Sequence, residues 1–214
     1  TILFTMYIAG VLYGPACRWK AGLVLVVSTG FFIVARLITT DMLLAFFITA
    51  SVAGLIGYVH RGRKIWLYVF YGAMGFGFLS KGPLGIVIPA ITAVAMQVEQ
   101  WRRHRPVVRL YWYAGLPIAL LIGLSWYLAL IQRDKTLFDY FFRYELLDRI
   151  ASNTHNRAKP IWFYPGVLVI GLLPWTGFAF SALRDLWHRR RSLASVHLWL
   201  FVGWIVVPYV ILSL

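Results

Sequence analysis

Lys81 is the clearest candidate for chemistry in the first half of the sequence. It lies in the segment FLSKGP at positions 78–83, where Gly82 and Pro83 interrupt the chain between two apolar stretches. A cation on such a constrained turn suits a phosphate group. The simpler alternative is a lysine whose ammonium only extends toward a water interface. We predict that Lys81 binds phosphate.

Asp41 is a second candidate, because an ionisable residue at the edge of an apolar stretch is costly and is a functional candidate by default. Two structural explanations stand beside a functional one. Asp41 could pair with Arg36, or it could be the first-turn acid of a helix for which Thr40 is the N-cap. In the functional explanation, Asp41 orders a binding site.

The segment 132–160 is too long for a simple connector, and long loops are usually functional or disordered. Its middle, 138–150, is too aromatic to be disordered. Two acid–base pairs there are spaced i, i+4 with the acid first, the favourable order in a helix: Asp139 with Arg143, and Glu145 with Arg149. We predict a helix along the membrane surface, whose charges either neutralise one another or contact an anionic headgroup through Arg143 or Arg149.

A cluster of cations follows this predicted helix. His155, Arg157 and Lys159 precede Trp162 and Tyr164. An aromatic belt at the membrane interface explains the two aromatic residues but not the cations. A phosphate or pyrophosphate site is plausible here, whereas one histidine without a second nearby ligand makes a poor metal site.

The composition indicates the class of protein to which these candidate residues belong. The 214 residues are 61% hydrophobic and only 13% charged, with a mean hydropathy of +0.74. A soluble domain has about 25% charged residues, so we predict a membrane protein. The formal net charge of +14 is explained by basic cytoplasmic links, so no nucleic-acid partner is expected. The single Cys17 permits no intrachain disulfide.

The apolar stretches predict an all-α, polytopic transmembrane bundle, because a helix satisfies its backbone groups within one segment. We expect about seven to eight spans plus the outer surface helix, in a single transmembrane domain over 1–214. Both ends lie in apolar runs, which suggests an internal fragment. The stretches are 1–15, 21–38, 41–59, 65–80, 83–98, 108–131, 161–181 and 196–214.

The links between these stretches alternate in charge. One set, at 18–20, 60–64, 101–109 and 184–191 with their flanks, carries 13 basic and 2 acidic residues. The other set, at 36–41, 80–83 and 132–160, carries 8 basic and 5 acidic residues. The first set is therefore predicted to be cytoplasmic, and setting the topology is its default role. Within it, Arg189–Arg191 are the candidates for contact with anionic lipid. The candidate residues lie on the outer side.

The order of several motifs resembles that of a known family, the bacterial aminoarabinose transferases of lipid A, together with the wider protein-O-mannosyltransferase-like GT-C glycosyltransferases. The resemblance covers essentially the whole chain and depends on the order and spacing of the motifs. These are residues 78–89 (FLSKGPLGIVIP), 140–145 (YFFRYE) with Arg149, 155–157 (HNR), 160–164 (PIWFY) and 173–175 (LPW).

The resemblance implies a glycosyltransferase that takes a sugar from a polyprenyl phosphate on the outer face of the bacterial inner membrane. Its catalytic base would be an acid in a first outer loop, expected upstream of Thr1, so the fragment alone would be inactive. The carrier phosphate or sugar would be bound by Lys81, Arg149, His155 and Arg157. The site would be ordered by Asp41, Glu145 and Tyr164.

The sequence departs from the family's pattern in the outer helix, and the Lys-x-Lys-Leu-Pro segment that the family has after the eighth span is expected beyond Leu214. Members with a metal near the site have Glu-His in the outer helix, but here Glu145 is followed by Leu146. No cofactor is therefore predicted, and a divalent metal stays an open alternative. Two rival functions also stay open: a flippase or transporter of the carrier lipid, and an inactive scaffold of the same fold. Transporters typically contain discontinuous helices and repeated halves, and no repeat is found.

Overall fold

A computed structural model describes residues 1–37, 39–102, 104, 106–133 and 163–189. In these ranges the regular structure is entirely α-helical, which confirms the predicted fold class. The helices are α1 (Ile2–Tyr13), α2 (Pro15–Val27), α3 (Thr29–Arg36), α4 (Thr40–Arg61), α5 (Ile65–Lys81), α6 (Leu84–Arg102), α7 (Trp112–Arg133), α8 (Phe163–Gly171) and α9 (Thr176–Arg189).

Three of the described helices, α4, α6 and α7, are long and apolar enough to cross a membrane. Two further apolar segments are bent pairs. The axes of α2 and α3 differ by 62°, and those of α8 and α9 differ by 116°. Counting each pair as one span gives up to five spans. The predicted last span, 196–214, lies outside the described residues.

Two glycines set the ends of α4 and α5. Gly62 follows α4 with φ 66°, and its N–H donates to the carbonyl oxygen of Tyr58 at 2.8 Å. Gly82 follows α5 with φ 72°, and its N–H donates to the carbonyl oxygen of Phe78 at 2.7 Å. Positive φ favours glycine at the end of a helix. The predicted interruption after Lys81 is thereby confirmed.

Helix α5 is central to the bundle, because it packs against α4, α6 and α7. Small residues permit the close approach of these apolar helices. A Cβ on Gly54 of α4 would lie 2.7 Å from the backbone nitrogen of Phe70, and one on Gly75 of α5 would lie 2.8 Å from the carbonyl oxygen of Ala119. The buried Ser51 hydroxyl donates to the Phe70 carbonyl at 2.9 Å. These contacts fix α5, which carries Lys81 at its end.

Candidate functional site

The ammonium of Lys81 donates a hydrogen bond to a carboxylate oxygen of Asp41, and the two form an ion pair. They meet because α4 begins at Thr40 and α5, which packs against it, ends at Lys81. The Lys81 side chain is 40% exposed and that of Asp41 is 49% exposed. Two of the candidate residues, forty positions apart, thus form one accessible pair.

The simpler explanations of Asp41 are partly wrong. Asp41 pairs with Lys81 and not with Arg36, whose guanidinium carbon lies 4.5 Å from the centroid of the Phe32 ring. Thr39, not Thr40, is the N-cap residue, and its side chain makes no capping hydrogen bond. Asp41 does lie in the first turn of α4, where a carboxylate complements the helix dipole.

The end of α5 is held on two sides by aromatic contacts. Phe78, one turn before Lys81, packs edge to face against Tyr127 of α7 with ring centroids 5.9 Å apart. Phe76 stacks on Phe47 of α4 with centroids 5.6 Å apart. The sequence did not predict these pairs, because a single sequence does not show which distant aromatic side chains are in contact. They fix the backbone that presents Lys81, which suits a binding residue better than a mobile terminus would.

The other predicted site residues are not placed by the structure. The predicted surface helix at 138–150 also lies outside the described residues. Tyr164 belongs to the first turn of α8, but its side chain is not described. In the part of the chain that is described, no three His, Cys, Asp or Glu residues come close enough to hold a metal ion. The predicted binding and ordering residues outside the described ranges are Glu145, Arg149, His155 and Arg157.

A second feature that sequence reasoning missed is the contact between the two bent pairs. The backbone N–H of Thr29 donates to the carbonyl oxygen of Leu173 at 2.9 Å, and the Thr29 hydroxyl donates to the same oxygen at 3.1 Å. Gly30 lies directly against the backbone of Gly171. Irregular backbone at membrane depth requires such partners. Two sequence features could have indicated the bends: the small residues Ser28–Gly30 in one apolar stretch and Pro174 after Leu173 in the other.

Comparison with known proteins shows which family the chain belongs to. The sequence model of "Dolichyl-phosphate-mannose-protein mannosyltransferase" matches residues 2–141. An undecaprenyl phosphate-alpha-4-amino-4-deoxy-L-arabinose arabinosyl transferase from Yersinia pestis (strain Pestoides F) is 33% identical over 152 residues, which are 71% of this chain and 27% of that protein. The enzyme of that name from Edwardsiella ictaluri (strain 93-146) is 35% identical over 150 residues, 69% and 26% of the two chains.

Solved structures show a similar fold. The crystal structure of ArnT from Cupriavidus metallidurans bound to undecaprenyl phosphate superposes with a TM-score of 0.82 at 23% identity, over 99% of this chain and 39% of that chain. The same protein in the apo state gives a TM-score of 0.79 over 100% and 38%. This chain spans about a quarter of the length of the curated relatives. Since the family's sequence model matches well over half of its residues, the chain belongs to the dolichyl-phosphate-mannose-protein mannosyltransferase family.

Proposed function

We propose that this chain is the membrane core of a glycosyltransferase that moves a sugar from a polyprenyl phosphate carrier to an acceptor hydroxyl. The acceptor would be lipid A-like, another envelope component or a protein. Support comes from the relatives, whose names specify transfer from undecaprenyl phosphate, and from the similar ArnT structure with undecaprenyl phosphate bound. The observation in this chain that carries the proposal is the accessible Lys81–Asp41 pair.

The chemistry gives Lys81 a defined task. In the transfer, the acceptor oxygen bonds to the anomeric carbon while the bond from that carbon to the phosphate oxygen breaks. The carrier phosphate leaves with the bonding electron pair, so negative charge grows on it. A fixed cation beside the leaving oxygen stabilises that charge in the transition state. Lys81 would supply this cation, and a base outside the described residues would accept the acceptor's proton.

Asp41 would be a positioning residue. Its carboxylate holds the Lys81 ammonium at the end of α5 before the carrier arrives. The remaining roles that we propose follow the family resemblance and lie outside the described side chains. Binding of the carrier phosphate or sugar is assigned to Arg149, His155 and Arg157, and ordering of the site to Glu145 and Tyr164.

The proposed setting is the bacterial inner membrane, in a single transmembrane domain over 1–214. The described apolar helices support a membrane location. The charge asymmetry of the links supports an orientation in which the Lys81 turn and the loop at 132–160 face outward. Transfer would then take place on the outer face.

Replacing Lys81 in a protein that carries out sugar transfer tests the proposal. We expect Lys81→Ala to lower the rate of sugar transfer about 100-fold, the loss typical of one preorganised transition-state contact. Lys81→Arg, which keeps the charge, should retain more activity than Lys81→Ala. Lys20→Ala removes an exposed lysine of α2 and is the matched control. An unchanged transfer rate in Lys81→Ala would overturn the proposal.

A specific observation favours a second candidate, a flippase or transporter of the carrier lipid. Helices α2 and α3 meet at Ser28, near the middle of an apolar stretch, and this break contacts the break between α8 and α9. Discontinuous helices of this kind are typical of transporters. Translocation of labelled polyprenyl phosphate across vesicles by the wild-type protein, without sugar transfer, would identify this function instead.

A further inference from the structure

A cavity of about 400 Å³ lies between α5 and α7 at the end of the bundle opposite Lys81. Lys64 stands at its edge, immediately before α5, whereas Lys81 is the last residue of that helix. A helix of 17 residues separates them by about 25 Å. Neither Lys81 nor Asp41 lines the cavity, so it is distinct from the candidate site. Its lining includes Lys64, Leu67, Tyr71, Gly72, Tyr111 and Ile118.

The edge of this cavity is electropositive. Lys64 is the N-cap residue of α5, and no acidic residue lies in the first turn of that helix. The N-terminus of a helix already carries a partial positive charge, so a lysine there adds charge of the same sign. Among the described residues, Lys64 has no salt-bridge partner, and its ammonium lies 5.9 Å from the Tyr111 ring centroid. This arrangement would favour an anionic group beside the Lys64 ammonium.

The interior of the cavity is apolar. Leu67 and Ile118 line it, and the one deep hydroxyl, that of Tyr71, already donates to the carbonyl oxygen of Leu110 at 2.8 Å. Gly72 leaves open space, because a Cβ added there would meet no atom within 4 Å. Such walls suit a hydrocarbon chain, since they present no unsatisfied polar group to it.

The position of Tyr111 at the edge is imposed by its surroundings. Its φ of 53° is unusual for a residue other than glycine, and such conformations persist where the structure around them fixes them, often at ligand sites. Hydrogen bonds from side chains fix the preceding segment. The Tyr58 hydroxyl donates to the carbonyl oxygen of Arg109 at 3.1 Å, and the Gln97 amide donates to that of Val108 at 2.9 Å.

We propose that this cavity binds an anionic glycerophospholipid of the surrounding membrane. The lipid phosphate contacts the ammonium of Lys64 beside Tyr111, and part of one acyl chain fills the apolar space along Gly72 and Ile118. Charge complementarity carries the assignment, because basic pockets between membrane helices attract anionic headgroups. The same end of the bundle also carries Arg61 and Arg102, the last residues of α4 and α6, and Arg63 and Arg109, which lie in the links that follow these helices.

Lipid binding to the purified protein in detergent tests this proposal by native mass spectrometry, with phosphatidylglycerol and phosphatidylcholine of identical acyl chains. The wild-type protein should retain phosphatidylglycerol in preference to phosphatidylcholine. Lys64→Gln should lower the affinity for phosphatidylglycerol about tenfold, the loss typical of one charge-assisted hydrogen bond. Lys20→Gln, at another exposed lysine, should leave it unchanged.

Filling the cavity tests its apolar part. Gly72→Leu should abolish retention of phosphatidylglycerol, because its side chain enters the open space. Gly166→Leu, at a helical glycine that also has nothing within 4 Å, is the matched control. Ile118→Trp is a second filling variant that tolerates bulk, since Ile118 is 45% exposed. Full retention of phosphatidylglycerol by both filling variants would show that the lipid does not bind in this cavity. Equal retention of the two lipids by the wild-type protein would show that the site does not select an anionic headgroup.

Discussion

At the scale of single residues, the Lys81–Asp41 pair contributes little to folding and is well placed for binding. Both side chains are substantially exposed, and an exposed ion pair contributes only about 0–1 kcal/mol. The same exposure leaves the Lys81 ammonium open to an incoming phosphate. The carboxylate meanwhile limits the positions that the ammonium can adopt, which reduces the ordering cost when a ligand binds.

Replacement of Asp41 tests this positioning role. We expect Asp41→Asn to change the free energy of unfolding by less than about 1 kcal/mol. The kcat/KM of sugar transfer should fall about tenfold, because Lys81 is no longer held in place. Asp41→Glu should restore part of the loss, since it keeps the charge. Strong destabilisation with unchanged kcat/KM would mean that the pair is structural.

The residue types at this site were predictable from the sequence, but the partner was not. Lys81 stands out because Gly82 and Pro83 follow it between apolar stretches. A pair with Arg36, its neighbour in the sequence, was one of the explanations of Asp41, yet the packing of α4 against α5 brings Lys81 to it instead. Local sequence patterns carry no information about such long-range contacts.

At the scale of helices, the same limit applies to the bent pairs. Hydropathy predicted a continuous stretch at 21–38, but the chain bends at Ser28. The bend is possible because two hydrogen bonds satisfy groups beside it. The Ser28 hydroxyl donates to the Val24 carbonyl at 2.6 Å, and the Thr29 hydroxyl donates to the carbonyl oxygen of Leu173. Hydropathy predicts where apolar residues lie, and the ends at Gly62 and Gly82 follow from glycine chemistry. The bend at Ser28 depends on the carbonyl of Leu173, which is distant in the sequence, so neither hydropathy nor the positions of glycines predicts it.

Two glycines at the contact between the bent pairs give a matched test. A Cβ on Gly30 would lie 2.9 Å from the Gly171 Cα, whereas a Cβ on Gly171 would lie 3.6 Å from the Gly30 Cα. We expect Gly30→Ala to destabilise the protein by about 1–3 kcal/mol, because backbone cannot move aside as a side chain can. Gly171→Ala should be tolerated. Thermal unfolding in detergent measures both, and equal stability of the two variants would contradict the observed packing.

At the scale of the whole molecule, the two ends of the bundle differ in chemistry. The end with Lys64 carries several arginines, and the other end carries the Lys81–Asp41 pair. The first end matches the side of a membrane where basic links accumulate. The proposed lipid site and the proposed transfer site would therefore face opposite leaflets. Both proposals depend on the orientation of the chain in the membrane.

Thiol labelling in intact cells tests that orientation. Cys17 is the single cysteine, so a Cys17→Ala background accepts one reporter at a time. Thr40→Cys, exposed beside the Lys81–Asp41 pair, should react with a membrane-impermeant maleimide added outside. Arg63→Cys, exposed at the basic end, should react only after the membrane is permeabilised. The reverse pattern would place the Lys81 turn inside the cell, which is incompatible with sugar transfer on the outer face.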